Sequence, residues 1–420
     1  MTKGFAKLLL RGIVHIVGFS FLFTSVAFAS ITLPENLTTI EAEAFSGNIN
    51  IKELRLPVGL NSISERAFAG CTSLSLVTIP DSVTSIHDSA FDNCPNAVFK
   101  VFKDTYAEDW VSSHLREFTY MDDEIQHQGD YTYSVSKGIN LTILRYNGTA
   151  TGTLVVPATI NGYNVTKIGE EAFRDCPASR IELPNTVVEL GHQAFNYCDV
   201  EELILPDSLT TISSWAFSGC SKIKSIRIPN SVTNILGNPF YGCHGLESII
   251  IDASHPVYGL YQNALVEKST MKLITIPYAL VGDTLTIPDG IKVIGNCAFG
   301  YSGPKFKKVI IPDSVETIES SAFCFSPVEY VEIGSGIKTM EYGPFTYCAA
   351  LKHVTIKDGT TVIGNGAFSH CESLESIVIP DSVTSIANDA FDYDYYVSFV
   401  ANPGSYAMQY ATEHGISIGN

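Results

Sequence analysis

One stretch near the end of the chain decides the fold: Leu374-Glu-Ser-Ile-Val-Ile-Pro-Asp-Ser-Val-Thr-Ser-Ile-Ala-Asn-Asp-Ala-Phe391. Ile377 and Ile379 have the two-residue spacing that puts both side chains on one face of a β-strand, and Val378 points to the other face. Pro380 cannot donate to a strand ladder, and Pro-Asp-Ser is typical of a turn. The pattern therefore predicts a short strand, a turn, and a second inward-facing segment that ends at Phe391.

The same pattern recurs along most of the chain, and an Ala-Phe or Pro-Phe pair ends each copy. Within blocks, the anchor phenylalanines are 22 to 24 residues apart. The twelve copies are anchored at Phe45, Phe68, Phe91, Phe173, Phe195, Phe217, Phe240, Phe299, Phe323, Phe345, Phe368 and Phe391. Each copy carries apolar groups that only its neighbours can cover, so the repeat predicts a solenoid of stacked coils.

With its Ile-Pro turn and its A-F-x-x-C ending, this repeat resembles the leucine-rich repeats of the BspA type, found in surface and secreted proteins of bacteria and some protists. The resemblance covers nearly all of the chain after residue 29. It implies a mainly β solenoid, a right-handed leucine-rich repeat superhelix with stacked strands on one face. It also implies a role in adhesion or protein binding, with no catalytic residues to carry over.

The composition is that of a folded protein with an acidic surface. Of the 420 residues, 45% are apolar and 17% are charged, so the chain can bury a large core and is not of the disordered class. It has 26 basic and 44 acidic residues, which gives a net charge of -18. Such a charge repels phosphates and anionic lipid, so we expect no nucleic-acid partner.

The first 29 residues are typical of an export signal. A basic start precedes an uncharged apolar stretch at 13–28, and Ala27-Phe28-Ala29 is a small-x-small cleavage site. We expect cleavage after Ala29 and a secreted or cell-surface protein. The alternative is an N-terminal membrane anchor, for which the apolar stretch is near the lower length limit. No membrane span is expected after the signal is removed.

A break in the repeat spacing, between Phe91 and Phe173, contains a helix signal. Thr105-Tyr-Ala-Glu108 is a capping box, and we expect a helix over 104–118. Apolar residues follow the box at helical spacing: Trp110, Val111, Leu115 and Phe118. Four residues recur 300 positions later, as Tyr106/Tyr406, Ala107/Ala407, Trp110/Tyr410 and His114/His414. Because a solenoid end exposes open core, we expect both helices, and both histidines, to serve as short helical caps.

Two caps imply two modules. We expect a module of three repeats at 30–121, a polar linker at 122–127, and a module of nine repeats at 128–420. The second module is expected to open with a hairpin, by the alternation of 131–136 and 141–146. The other spacing break, between Phe240 and Phe299, predicts one enlarged repeat at 251–281 with a strand pair inserted in it.

The cysteines follow the repeat. Eight of the ten lie three residues after an anchor phenylalanine: Cys71, Cys94, Cys176, Cys198, Cys220, Cys243, Cys348 and Cys371. Stacked coils place equivalent residues about 4.8 Å apart, whereas a disulfide needs Cβ atoms about 3.8 Å apart and turned toward each other. We therefore expect free, buried thiols. Cys243-His244 and His370-Cys371 should lie about 19 Å apart, too far to share a metal ion.

No pattern in the sequence predicts catalysis. Gly415-Ile-Ser-Ile-Gly419 matches the nucleophile pattern G-x-S-x-G, but no helix can follow the serine, so we interpret the match as chance. The sequence has no H-E-x-x-H, no phosphate loop and no calcium loop. We expect no enzyme activity, no cofactor and no metal site.

The strand face of the long module is the candidate binding surface. Protein-binding surfaces combine apolar, aromatic and arginine anchors with a polar rim. Solvent positions of the strands have that mixture: Arg180, Glu202, Ile204, Arg227, Ile250, Lys308, Ile310, Tyr330, Glu332 and His353. The alternative is a solvated sheet face of ordinary β-forming residues.

The favoured function is adhesion or protein binding, with a partner such as host matrix or another cell. A self-associating structural protein of the cell envelope is the first alternative. A carbohydrate-binding module ranks third because the strand positions offer Tyr330 as their one aromatic platform, and a secreted hydrolase ranks last.

Overall fold

The computed structural model describes residues 30–114, 116–121, 124–136, 140–300, 306–340 and 342–419. The expected export signal at 1–29 lies outside them. The chain forms two compact units: the first runs up to Thr142 and includes Thr159–Val165, and the second consists of Ile143–Ala158 and the chain from Thr166 onward.

Each coil is built from two parallel strand columns joined by turns. In the coil that decided the fold, a three-residue strand, Ser376–Val378, is followed by a two-residue strand, Ser385–Ile386. Ile377 and Ile379 are buried and Val378 is exposed, as the alternation predicts. The coil pairs in parallel with the coils on both sides, so every backbone ladder runs along the stack. The predicted β-solenoid is confirmed.

The strands are numbered in chain order. From residue 30 to 146 they are β1 (Ser30–Thr32), β2 (Thr39–Ile40), β3 (Glu53–Arg55), β4 (Ser62–Ile63), β5 (Leu76–Thr78), β6 (Ser85–Ile86), β7 (Val98–Val101), β8 (Phe118–Tyr120), β9 (Ile125–Gln128), β10 (Tyr131–Ser136) and β11 (Asn140–Tyr146). In the first unit, β1, β3, β5, β7 and β8 form one sheet, and β2, β4 and β6 form another.

The next strands reach the end of the enlarged repeat. They are β12 (Thr153–Val155), β13 (Thr159–Ile160), β14 (Tyr163–Ile168), β15 (Arg180–Glu182), β16 (Glu189–Leu190), β17 (Glu202–Ile204), β18 (Thr211–Ile212), β19 (Ser225–Ile228), β20 (Asn234–Ile235), β21 (Ser248–Ile251), β22 (Tyr258–Tyr261), β23 (Ala264–Glu267) and β24 (Lys272–Thr275). A short 3-10 helix, Tyr278–Leu280, follows.

The remaining coils complete the second unit. Their strands are β25 (Thr284–Thr286), β26 (Val293–Ile294), β27 (Lys308–Ile311), β28 (Thr317–Ile318), β29 (Tyr330–Ile333), β30 (Thr339–Met340), β31 (His353–Ile356), β32 (Val362–Ile363), β33 (Ser376–Val378), β34 (Ser385–Ile386), β35 (Ser398–Val400) and β36 (Ser417–Ile418). The longer strands from β25 onward form one seven-stranded sheet that ends in β36.

The anchor phenylalanines form the core. Phe45 and Phe68 stack at 5.1 Å between ring centroids, and Phe68 and Phe91 at 5.2 Å. In the second unit the rings of Phe345 and Phe368 stack in the same way, at 5.5 Å. Within each block of repeats, every ring covers the ring of the next coil, so no coil has a complete core of its own.

Both expected caps are present, and the first is shorter than expected. The helix α1 is Tyr106–Ser113, with Thr105 accepting a hydrogen bond from the backbone N–H of Glu108. The helix α2 is Tyr406–His414, with Ser405 in the same role. The expectation that the first helix continues through Phe118 is wrong, because Phe118 starts β8, which pairs in parallel with β7.

In both units the sheet continues for one short strand after the helix. Thus β36 pairs with β35 as β8 pairs with β7. The ring of His114 stacks on Trp110 at 4.4 Å and donates from Nδ1 to its carbonyl oxygen, and His414 does the same on Tyr410 at 3.9 Å. Across the described part of the chain, no helix is both long and apolar enough to cross a lipid bilayer.

Two segments carry more strands than expected. The hairpin of β10 and β11 forms as expected, and β9, which overlaps the expected linker, adds a third strand to it. The expectation of a strand pair in the enlarged repeat is wrong, because β22, β23 and β24 form a three-stranded antiparallel meander. The extra strand lets β24 join the short-strand column by pairing in parallel with β26.

Candidate functional site: the strand face

The first group of candidate residues lies on β15 and β17. These strands pair in parallel, so that Arg180 stands beside Glu202 and Glu182 beside Ile204. Ile204 is 36% exposed, and Leu203, between the two solvent positions, is buried. The alternation predicted from the repeat therefore places these side chains on the solvent face.

The second group lies on β19 and β21, where Arg227 stands beside Ile250. Ile250 is 52% exposed, although the flanking Ile249 is buried. Arg227 is also exposed, and its Nη1 is 3.1 Å from Oδ1 of Asp207. An apolar side chain and a guanidinium group thus lie next to each other in water.

The third group lies on β27, β29 and β31. Lys308, Tyr330 and His353 are register partners, and Ile310 and Glu332 form the neighbouring row. Tyr330 stacks on His353, with 5.1 Å between the ring centroids. The expectation that Ile310 stays exposed like Ile204 and Ile250 is wrong, because its side chain is half-buried.

These groups do not form one continuous column. In the second unit β12, β15 and β17 belong to one sheet and β19 and β21 to another. A third sheet holds β25, β27, β29, β31, β33, β35 and β36. The enlarged repeat separates Ile250 from Ile310 along the chain. The structure therefore brings together candidates within each group, and it does not join the three groups by strand pairing.

Most charged candidates are neutralised by neighbours on the same face. Arg180 pairs with Glu182 at 2.9 Å and also with Glu202. Nζ of Lys308 is 2.5 Å from Oε1 of Glu332. Exposed pairs of this kind contribute about 0–1 kcal/mol each to stability. Because these charged groups already have partners, the exposed isoleucines are the side chains whose burial by a binding partner would be most favourable.

The strand face of the first unit is partly covered by the chain itself. Nη2 of Arg55, on β3, donates to the carbonyl oxygen of Asn161 at 3.3 Å. Its guanidinium carbon lies 5.4 Å from the ring centre of Tyr163, and the β13–β14 turn belongs to the same unit. This contact could not be read from the repeat, because residues 159–165 lie outside the repeats of the first unit.

A row of aromatic rings on the turns was not predicted from the sequence; three of the rings are exposed and one, that of His370, is half-buried. Two residues after an anchor phenylalanine, the chain carries Phe325, Tyr347, His370 and Tyr393 in consecutive coils. Their rings stack at centroid distances of 4.7, 4.3 and 4.1 Å. We name these four residues the turn ladder. The signal was present in the sequence, because the repeat period already fixed this column.

Seven of the cysteines donate a thiol hydrogen bond to a backbone carbonyl oxygen of the preceding coil, and no disulfide joins any two of the ten. All ten are free thiols, eight of them buried. Burial raises the pKa of the Cys243 thiol to about 12. Among the described residues, no three His, Cys, Asp or Glu side chains converge as a metal site would require. Ser417 lies in β36, paired with Ser398 of β35.

Stacked coils, two parallel strand columns and a phenylalanine core define a β-solenoid protein of the leucine-rich repeat class. The chain belongs to the BspA type leucine rich repeat family. The family model, a region of six copies, matches residues 17–140, 157–280 and 282–398. No curated protein matches the chain.

Solved structures similar to the chain include three bacterial proteins. A leucine rich cell surface protein from Faecalibacterium prausnitzii A2-165 is 26% identical, with a TM-score of 0.43 over 71% of this chain and 99% of that one. A leucine-rich repeat protein from Eubacterium ventriosum is 21% identical, with a TM-score of 0.47 over 66% and 83%. The pneumococcal vaccine antigen PcpA is 17% identical, with a TM-score of 0.43 over 71% and 98%.

Proposed function

We propose that the chain is a secreted or cell-surface protein that binds another protein, in an adhesion role, through the strand face of its second unit. Membership of the BspA-type family supports a binding function over catalysis. The basic and apolar segment at 1–29 supports export. N-terminal sequencing of the exported protein should then start at Ser30.

The observation that carries the proposal is the exposure of Ile250 beside Arg227. A β-branched residue that is 52% exposed leaves apolar area in water, and a partner that covers it gains about 25 cal/mol per Å². Arginine next to an apolar group is a frequent anchor in protein interfaces. Asp207, which pairs with Arg227, is itself exposed and contributes a polar rim.

Surface binding by the chain from Ser30 onward tests the proposal. Immobilised extracellular matrix proteins and intact cells serve as partners, with binding measured by interferometry and flow cytometry. The double variant Arg227→Ser, Ile250→Ser should weaken binding by more than about 1 kcal/mol, because both side chains would be interface anchors. Its melting temperature should hardly change, because neither side chain lies in the core.

The matched control is Ile49→Ser, which removes an isoleucine at least as exposed as Ile250 from the first unit. It should bind like the natural chain. Binding that survives the double variant but is lost when 255–277 is shortened would move the surface to the enlarged repeat. Sedimentation that shows the chain associating with itself, together with no binding to matrix or cells, would favour the envelope-protein alternative.

A further inference from the structure

The turn ladder occupies a backbone position that disfavours its side chains. Phe325, Tyr347, His370 and Tyr393 all have positive φ, between 57° and 70°. Glycine or asparagine is the favoured residue in this left-handed region, because other side chains are strained there. An aromatic residue at this position in four consecutive coils therefore makes the fold less stable than glycine at the same positions would. Backbone strain of this kind clusters at binding and catalytic sites.

Other coils show that the turn itself does not need an aromatic residue. The same position holds Gly47, Gly70 and Gly219, all with positive φ, and Asn93 in the last coil before α1. The aromatic residues are therefore not required to close the coil.

The ladder ends in two more tyrosines with open faces. The four stacked rings have interplanar angles of 7° to 13°, so they cover one another and present their edges to water. Tyr395 meets Tyr393 edge-on at 87°, and Tyr395 and Tyr396 are each 77% exposed. At the matching positions before α1 the chain has Pro95 and Asn96. Of these two equivalent turns, only the one before α2 presents flat ring faces to solvent.

The surroundings of these rings are polar and acidic. Asp392 lies between the anchor Phe391 and Tyr393, and both Asp392 and Glu372 are exposed. Asn365 donates to both carboxylate oxygens of Asp389, at 3.2 and 3.3 Å. Carboxylates accept hydrogen bonds from hydroxyl groups, and they repel anions. The chain as a whole carries -18, which disfavours an anionic ligand further.

We propose that the turn ladder and its terminal tyrosines, Tyr395 and Tyr396, bind a neutral glycan. The electron-rich faces of the tyrosines attract the C–H groups of a pyranose ring, and the carboxylates and amides accept and donate hydrogen bonds with its hydroxyl groups. The cores of protein interfaces are depleted of Asp and Glu, which argues against a protein partner here. This surface is separate in sequence from the strand-face residues of the proposed function.

The proposal is tested with neutral hexasaccharides as probes, namely cellohexaose, chitohexaose and laminarihexaose, and with a heparin hexasaccharide as the anionic probe. Calorimetry measures affinity for the chain from Ser30 onward. The test variant, Tyr393→Asn, Tyr395→Pro, Tyr396→Asn, introduces the residues that the matching turn before α1 already holds. It should therefore fold, which circular dichroism and melting check.

The control variant is Tyr197→Asn. Tyr197 is exposed and has a positive φ at the same repeat position, but the equivalent residues of its neighbouring coils are Asp175 and Gly219, so it belongs to no ladder. We expect a neutral hexasaccharide to bind, the triple variant to lose at least tenfold in affinity, and the control to bind unchanged. The heparin probe should not bind.

Three results would overturn the proposal. The first is that no neutral hexasaccharide binds. The second is that the folded triple variant binds as tightly as the natural chain. The third is that the triple variant loses binding to matrix protein while no glycan binds, which would make the ladder a protein-binding surface. The Arg227→Ser, Ile250→Ser variant should lose strand-face binding and still bind the glycan. The failure of one proposal can therefore be distinguished from the failure of the other.

Discussion

The thiol of Cys198 donates a 2.8 Å hydrogen bond to the carbonyl oxygen of Phe173, the anchor phenylalanine of the preceding coil. The same bond joins Cys220 to Phe195 at 2.9 Å and Cys243 to Phe217 at 3.0 Å. The cysteine column is therefore a set of bonds between coils. The carbonyl oxygen of Phe173 also accepts from the backbone N–H of Cys176 at 3.1 Å, so the thiol is its second donor.

We predict that the cysteines remain reduced in the purified protein. Seven thiols of the column donate to a backbone oxygen of the preceding coil, so a disulfide would require that coil to shift. Titration of the denatured, unreduced chain with a thiol reagent should find most of the ten cysteines free. Four or five disulfides would contradict the bonding scheme.

In the folded protein, the thiol of Cys243 should react slowly. Burial raises the pKa of Cys243 to about 12, and the thiolate is the reactive form. At pH 8, Cys243 should therefore label far more slowly in the folded chain than in the denatured chain. Mass spectrometry of partly labelled protein identifies the sites.

Asp394 occupies the cysteine position of the last coil before α2, and we predict that it weakens the fold as pH rises. Its Oδ1 accepts a 2.7 Å hydrogen bond from the backbone N–H of Cys371, and Oδ2 is buried with no partner. Burial raises the pKa of Asp394 to about 8. The folded chain therefore holds a proton that the unfolded chain releases, so stability falls between about pH 4 and pH 8.

The variant Asp394→Asn keeps an acceptor for Cys371 and does not titrate. Its stability, relative to the natural chain, should rise with pH across that interval, by at most about 1.4 kcal/mol per pH unit. Urea unfolding at pH 5, 7 and 9 measures the difference. A difference that does not depend on pH would mean that Asp394 is ionised in the fold.

His255, in the enlarged repeat, should have the opposite pH dependence. Its Nε2 donates to the carbonyl oxygen of Pro229 at 3.1 Å, and its Nδ1 accepts from the N–H groups of Val257 and Tyr258. Burial, with a smaller effect from Lys268, lowers the pKa of His255. Its contribution to stability is present above about pH 6.5 and is lost as pH falls, because protonation of Nδ1 would oppose two donors.

His255→Asn provides a non-titrating acceptor at this site. Urea unfolding at pH 7.5 should show the variant less stable, by about 1–3 kcal/mol, because one of the bonds is lost. Between pH 7.5 and pH 5, the natural chain should lose more stability than the variant. Equal losses in both would show that His255 does not link pH to the fold.

The division at 122–127 is a proposal that a fragment can test. The chain from 128 to 420 carries nine repeats, a hairpin and α2, so it should fold alone with a cooperative unfolding transition. Calorimetry and circular dichroism of that fragment measure this. Aggregation of the fragment would mean that the turn around Asn161, which Arg55 contacts, needs the first three repeats to stay folded.

The coil was predictable because its determinants are local and recur. Within one repeat, Ile377 indicates the strand, Pro380 the turn and Phe391 the core anchor. The same pattern occurs in twelve copies. The expected end of the first helix at Phe118 is wrong for a physical reason. Helical spacing alone cannot distinguish a longer helix from a short one followed by a strand, and pairing with β7 favours the strand.

The candidate site was predictable only in part. Alternation placed Ile204, Arg227 and Ile250 correctly in water. It could not show that Arg180 and Lys308 pair with carboxylates of neighbouring coils, since those pairs depend on side-chain conformations between coils. The turn ladder was missed because an exposed turn is expected to carry glycine or asparagine, and only the repeat register identifies aromatic residues there as a stack.

The paired cap helices have a consequence for how such a gene changes over time. Trp110 with His114 and Tyr410 with His414 make the same contacts on the end of a three-repeat and a nine-repeat stack. The cap therefore fits a stack of either length. In-frame duplication or deletion of the DNA for one coil leaves both neighbours with an intact surface to pack against. Length can drift between lineages by whole coils, while the ends stay closed.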